Sequence, residues 1–280
     1  RAQAIERLGR TRHALVSPTF FREELASELD LGRDSVPLIL LRGSVIHPGT
    51  GQRSSEVNII GVDARFSAAS PHDRSWVIGS QYAKVNSALA SEVGAKQGED
   101  LVVSFELHSD IPREHALGKR EDTTERLRLE VAGIEEDSGT AIFDLKLQQE
   151  TPRNIFVSLE QLQARLGREA QVNTIIVCRD TQGGGAGSSQ DRLRAAWRLD
   201  DIGAVLRTDP RRNYVSLESR NFLLDSRLVE AARTAASGSP YQRQEVLAYL
   251  ANAIGVGESE IPYSIVASVS PWRLPSGAKG

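Results

Sequence analysis

The residues with the widest chemical reach in this sequence are its 5 histidines, His13, His47, His72, His108 and His115, because an imidazole serves as acid, base or metal ligand near neutral pH. Their spacing points away from a shared centre: none has a second histidine four residues on, and no H-E-x-x-H pattern occurs. They fall mostly in polar or turn segments, where a surface histidine is the simplest reading. His108-Ser109-Asp110 brings three catalytic residue types side by side, but triads are assembled from distant parts of a chain, so adjacency is no argument for one. The lone cysteine, Cys178, closes the apolar run Val172 to Val177, which excludes an internal disulfide and a CxxC or zinc cluster and suits a small buried core residue. Gly183-Gly184-Gly185-Ala186-Gly187 lies where a phosphate loop would sit, yet neither G-x-G-x-x-G with a downstream acid nor G-x-x-x-x-G-K-[ST] is present, and the run reads as a flexible connector. Glu135-Glu136-Asp137 reads as the solvated tip of a hairpin rather than a paired-carboxylate or calcium site. Arg211-Arg212 and Gly118-Lys119-Arg120 have no interleaved aromatics and read as ordinary surface. The expectation is therefore a chain with no catalytic, cofactor-binding or metal-binding residues and no cofactor.

The bulk numbers agree with that restraint. The 280 residues carry 34 basic and 37 acidic side chains, a net charge of -3 and a pI near 6.0, which gives no pull toward nucleic acid or anionic lipid. No stretch approaches the roughly 20 apolar residues of a spanning helix. The sequence starts at Arg1 and holds 0 methionines, so it reads as a segment excised from a longer protein.

The elements that must position these residues follow from periodicity and punctuation. Residues 1–16 read as a helix and a short extended piece, and Ser17-Pro18 as the capped start of a second helix with Phe21, Leu25 and Leu29 on one face. Val36 to Ile46 and Glu56 to Phe66 read as strands joined by His47-Pro48-Gly49-Thr50-Gly51. A helix is expected from Gln81 to Val93, capped by Ser80, with Tyr82, Val85, Leu89 and Val93 aligned and Gly94 as its stop, and Leu101 to Leu107 as the following strand. After a polar loop at 108–123, Arg126 to Glu135 and Thr140 to Gln148 read as a hairpin whose strands meet at Asp137-Ser138-Gly139. Ile155 to Val157 is a short strand, Ser158-Leu159-Glu160-Gln161 a capping box opening a helix to Gly167, and Val172 to Cys178 a central strand. Beyond the glycine run, Arg192 to Arg198, Ser226 to Ala236 and Glu245 to Ile254 read as helices; Val205 to Arg207, Tyr214 to Leu217 and Ser264 to Val269 read as strands, and the tail from Pro271 as a linker.

Val57 to Phe66, then Trp76 to Ser80 with Ala88 to Val103, then Pro152 to Val177, and finally Leu247 to Asn252 with Pro262 to Ala267 are four passages that in this order resemble the periplasmic segment of ABC-transporter permeases of the MacB/FtsX family, which includes the LolC and LolE lipoprotein transporters. The first is Val57-Asn58-Ile59-Ile60-Gly61-Val62-Asp63-Ala64-Arg65-Phe66. The second is Trp76-Val77-Ile78-Gly79-Ser80 with Ala88 to Val103, where Gly98-Glu99-Asp100 stands in place of the family's Gly-Asp. The third runs from Pro152 to Gln163 and through Leu166-Gly167 to Val172-Asn173-Thr174-Ile175-Ile176-Val177, a strand that returns to the first subdomain. The fourth is Leu247-Ala248-Tyr249-Leu250-Ala251-Asn252 with Pro262-Tyr263-Ser264-Ile265-Val266-Ala267.

The resemblance implies an α+β chain: a mixed α/β porter-like lobe interrupted by a β-rich Sabre-like lobe, with a helix-richer C-terminal part. Residues 1–66 would be the first half of the porter-like lobe, 67–170 the Sabre-like lobe, and 171–280 the returning strand and the helix-richer part. It further implies an inner-membrane protein whose extracytoplasmic segment, itself not an enzyme, couples ATP hydrolysis mechanically to export or extraction of a substrate. The partners would be a cytoplasmic ATPase, a second permease copy, and a periplasmic adaptor or lipoprotein substrate, with no nucleic acid. A free-standing periplasmic binding or adaptor module and a serine hydrolase using His108 or His115 are the competing readings.

Overall fold

A computed structural model describes residues 7–29, 35–70, 75–106, 124–146, 149–178, 189–220, 223–238, 243–257 and 259–269. The chain divides into two compact units, one of Arg1–His108 with Thr123–Gly203 and the other of Ser109–Asp122 with Ala204–Gly280. The mixed α and β class expected from the sequence is what the chain forms.

The first unit is built on one sheet. Its strands are β1 (His13–Arg22), β2 (Ser35–Ile46), β3 (Arg53–Val62), β4 (Tyr82–Asn86), β5 (Asp100–Glu106), β6 (Thr124–Glu135), β7 (Asn154–Ser158) and β8 (Gln171–Val177), in the spatial order β1-β8-β2-β3-β7-β4-β6-β5. The pairs β3–β7 and β4–β6 are parallel and the others antiparallel. The start of β2 pairs with β8, Ser35 to Leu38 facing Val177 to Thr174, while its end, Gly43 to Ile46, pairs with β5. The pairings β2-β3-β7-β4-β6-β5 thereby return to β2, closing a ring in which each strand has a neighbour on both sides.

Period-two alternation sorts the side chains of this ring into two cores. Ile39, Val45, Val57, Ile59, Ala83, Val85, Leu101, Val103, Phe105, Leu127, Leu129, Val131, Ile155 and Val157 share one buried cluster. Their sequence neighbours Leu38, Ile60 and Phe156 join a second, with Val62, Phe66, Trp76 and Phe143. In that second core Trp76 lies 4.4 Å from Phe156 and meets Phe66 edge-on at 5.1 Å, a geometry that suits the ring quadrupoles.

Short helices link the strands: α1 (Leu25–Glu28), α2 (Ser87–Val93), α3 (Leu159–Leu166) and α4 (Ser189–Ala196). The glycine stops at Gly94 and Gly167 are as expected, both in the left-handed conformation at φ 67° and 62°. Several expectations need correction. Residues from Ser17 do not open a helix: Pro18 lies inside β1, where the register against β8 slips between Val16 and Phe21 and a missing N–H costs no ladder bond, and only Leu25–Glu28 is helical. The helix expected from Gln81 is strand β4 followed by α2, capped by Asn86 and not Ser80. Residues 139–142 form a 3-10 turn, so Asp137-Ser138-Gly139 is not a hairpin tip and β6 pairs with β4 and β5 instead.

The second unit holds the hairpin β9 (Ala204–Asp209) with β10 (Tyr214–Ser219), the helix α5 (Ser226–Ser237), and the hairpin β11 (Val246–Val256) with β12 (Ser259–Val269). The helix expected over Glu245 to Ile254 is thus a strand, because Val246 to Val256 pairs along its length with Ser259 to Val269, which carries the β-branched Ile261, Ile265, Val266 and Val269.

Candidate functional site

Three side-chain clusters of the first unit concentrate its polar contacts. The first surrounds His47, which the structure buries at 5% exposure rather than leaving on the surface. The turn from β2 to β3 folds its ring back so that Nδ1 accepts the Thr50 N–H at 2.9 Å. Nε2 meets Glu99 Oε2 at 3.1 Å in the turn between α2 and β5. Glu99 Oε2 also accepts the Lys96 N–H at 2.8 Å. That backbone donor, ahead of the hydrogen bond from His47, holds the Glu99 carboxyl below its ordinary range. Both imidazole nitrogens are engaged, so the ring is a structural tie rather than a base open to a substrate.

The second cluster joins residues far apart in sequence. Arg22, at the end of β1, donates from Nε and Nη2 to Asp201 at 3.0 and 2.9 Å and from Nη1 and Nη2 to Glu28 of α1 at 2.9 and 3.0 Å. Arg198 adds its backbone N–H to Asp201 Oδ2 at 2.9 Å and its guanidinium to Glu28 at 2.6 Å. The Asp201 side chain is 0% exposed. The Glu28 hydrogen bonds, then those of Asp201, raise the Arg22 pKa, and Arg22 in turn lowers that of Glu28. Bidentate geometry on two carboxylates at once fixes β1, α1 and the 3-10 turn at 199–202 relative to one another.

The third is a relay of amides. Asn58 donates to Asn154 Oδ1 at 2.8 Å, Asn154 donates to the Ala141 and Phe143 carbonyls, and Asn86 Oδ1 accepts the Asn154 N–H at 2.9 Å. Asn86 Nδ2 donates to Asp137 at 2.8 Å and Glu135 accepts from Lys84 at 2.8 Å. The acidic run Glu135-Glu136-Asp137 is therefore partly spent on internal contacts, a correction to its reading as a solvated tip.

Of the other residues singled out by type, Cys178 is buried in the second core as expected. His13 opens β1 on the surface, and Arg211 and Arg212 sit in the β9–β10 turn with their N–H groups on Asp209 at 2.9 and 3.1 Å. His72, His108, Ser109, Asp110, His115, Gly118, Lys119, Arg120 and the glycines 183–187 lie outside the described residues. Sequence reasoning missed Arg22 and Asp201, separated by 179 positions and marked by no local pattern. His47 carried a usable signal, since a polar ring opening H-P-G-T-G can accept a turn N–H. Among the described residues no group of three or more His, Cys, Asp or Glu could hold a metal ion, and no helix is long and apolar enough to cross a membrane.

No family model and no curated protein matches the chain. Solved structures do resemble it. One is the extracellular domain of the noncanonic ABC-type transporter YknZ from Gram-positive bacteria, at 11% identity and a TM-score of 0.36, covering 64% of this chain and 80% of that one. Another is the periplasmic region of MacB from Actinobacillus actinomycetemcomitans, at 8% identity and a TM-score of 0.37, covering 79% of this chain and 85% of that one.

Proposed function

We propose that this chain is the extracytoplasmic domain of an ABC-transporter permease and that it carries motion rather than chemistry. ATP is hydrolysed by a separate cytoplasmic subunit or domain. A second permease copy and an adaptor or lipoprotein substrate meet this domain outside the membrane, and no step of the cycle needs a nucleophile or metal here.

The observation that carries the reading is the seam β1-β8-β2. The four-passage resemblance requires the strand Val172 to Val177 to return to the first subdomain, and β8 lies between β1 and β2, antiparallel to both. Displacement applied at β1 is thereby shared with β8 and β2 through two hydrogen-bonded ladders. Asn173 lengthens the seam, its amide donating to and accepting from the Leu40 backbone at 2.8 Å each way, beyond the last strand pair at Leu38. The chain then returns through Asp201 to Arg22, so both ends of β1 are tied.

The test uses the full-length protein in intact cells, with Cys178 replaced by alanine and a cysteine introduced at the exposed Glu160. A membrane-impermeant thiol reagent labels Glu160→Cys from outside, and the protein stays with the membrane after an alkaline wash. Labelling only after lysis, or release into the soluble fraction, defeats the proposal.

A further inference from the structure

The contacts of His47 define its protonation state by geometry. Nδ1 faces the Thr50 N–H at 2.9 Å and must present a lone pair, so the single imidazole proton sits on Nε2 and is donated to Glu99 Oε2. A second proton has only Nδ1 to go to, and there it meets another donor. The Thr50 bond is then lost, while the Nε2 contact with Glu99 becomes a bond between opposite charges.

We propose that His47 is a proton-operated latch on the β2–β3 turn: on protonation the ring stays with Glu99 and releases Thr50. The release propagates, because Thr50 Oγ1 donates to the Val93 carbonyl at 3.2 Å at the end of α2 and accepts the Gln52 N–H at 3.2 Å. Loss of the latch therefore loosens the turn and the C-terminal end of α2 together.

The surrounding charges leave this switch to His47 and Glu99. In the 94–99 turn the other charged group is Lys96, whose backbone N–H keeps Glu99 ionised where imidazole titrates. On β5, Asp100 is held by Arg128 at 2.6 Å. On β3, Arg53 donates to the Ser44 hydroxyl at 3.4 Å. On α2, Glu92 is paired with Arg153. The inference does not depend on the transport reading, since it concerns contacts inside one unit.

The experiment is NMR on the full chain between about pH 7.5 and about pH 5.5, the span over which imidazole changes charge. The His47 ring nitrogens report an Nε2–H neutral tautomer at the upper pH. The Thr50 amide protection factor, corrected for intrinsic exchange, drops at least about tenfold at the lower pH, while that of Lys96 holds. His47→Asn keeps an acceptor for the turn N–H but takes no proton, and abolishes the pH dependence. Glu99→Gln moves the Thr50 midpoint to lower pH by removing the partner of the imidazolium. A neutral Nδ1–H tautomer, a Thr50 protection factor that ignores pH, or the same pH response in His47→Asn overturns the proposal.

Discussion

Asp201 is a carboxylate with no contact to water, and its position is tolerable only because Arg22 and the Arg198 N–H surround it with donors. Removing one partner of such a pair leaves the other charge buried, which costs more than the pair itself contributes. Arg22→Ala is accordingly expected to lower stability by about 3–5 kcal/mol in urea unfolding at neutral pH. Asp201→Asn, which keeps the shape and one acceptor, lowers it less. The Glu28 half of the cluster has a defined pH signature. Its folded pKa is depressed by Arg22 from the ordinary 4.5, so its contribution is present above that value and fades as pH falls through the lower folded value. Thermal unfolding of the wild type against Arg22→Ala should show a stability gap that is flat from pH 7 to about pH 5 and narrows below about pH 4.5. A gap that widens on acidification contradicts the assignment.

At the scale of elements, the fork in β2 is the least forgiving place. A Cβ on Gly43 would stand 2.2 Å from the Ser104 carbonyl oxygen of β5 and 2.6 Å from Ile59 Cδ1, so the strand can reach β5 only with glycine there. Gly43→Ala is expected to cost on the order of 3 kcal/mol and to disturb β5 amide shifts more than those of β8. On the other arm of the fork, Asn173→Leu keeps the number and branching of the side chain's heavy atoms but strands the N–H and C=O of Leu40, a loss of about 2 kcal/mol measurable by denaturant unfolding. Neither feature could be read locally. Glycine stops, the Ser158 cap and the hydrophobic alternation of β3 and β5 were legible because each rests on a few consecutive residues, although β3 ends at Val62 and Ala64–Ala69 form a 3-10 helix where the strand was expected to run on to Phe66. Tyr82, Val85, Leu89 and Val93 misled because Val85 of a strand and Leu89 of the next helix enter the same core, so their spacing imitates one helical face. The alanine- and leucine-rich stretch at 246–251 misled because its partner strand, and not its own propensity, decides its conformation. The candidate site was less legible than the fold: Arg22 and Asp201 meet only through the sheet, and His47 had to be seen packed before its two nitrogens could be assigned.

The two units differ as whole objects in how their apolar surface is disposed. The first closes a ring and fills two clusters with buried side chains, and closure leaves its ring strands no free edge to open from. In the second, Leu206, Val215, Val246, Leu247, Ile254, Ile261, Ile265 and Val269 are all exposed apolar side chains. The register of its long hairpin puts Val246 opposite Val269 and Ile254 opposite Ile261, on one face, with Ile261 at 64% exposure. A lone two-stranded hairpin with its apolar face in water is marginally stable, since hydrogen bonds alone do not offset the entropy of ordering the chain. Native-state hydrogen exchange should therefore separate the units. Amides of β2, β3, β7 and β8 are expected to exchange only through global opening, and those of β11 and β12 with protection at least about a hundredfold lower. Unfolding followed at Trp76 in the second core should accordingly outlast loss of the β11–β12 signal along a denaturant series. Coincident transitions and equal protection across the chain would mean that the hairpin is as firmly held as the ring.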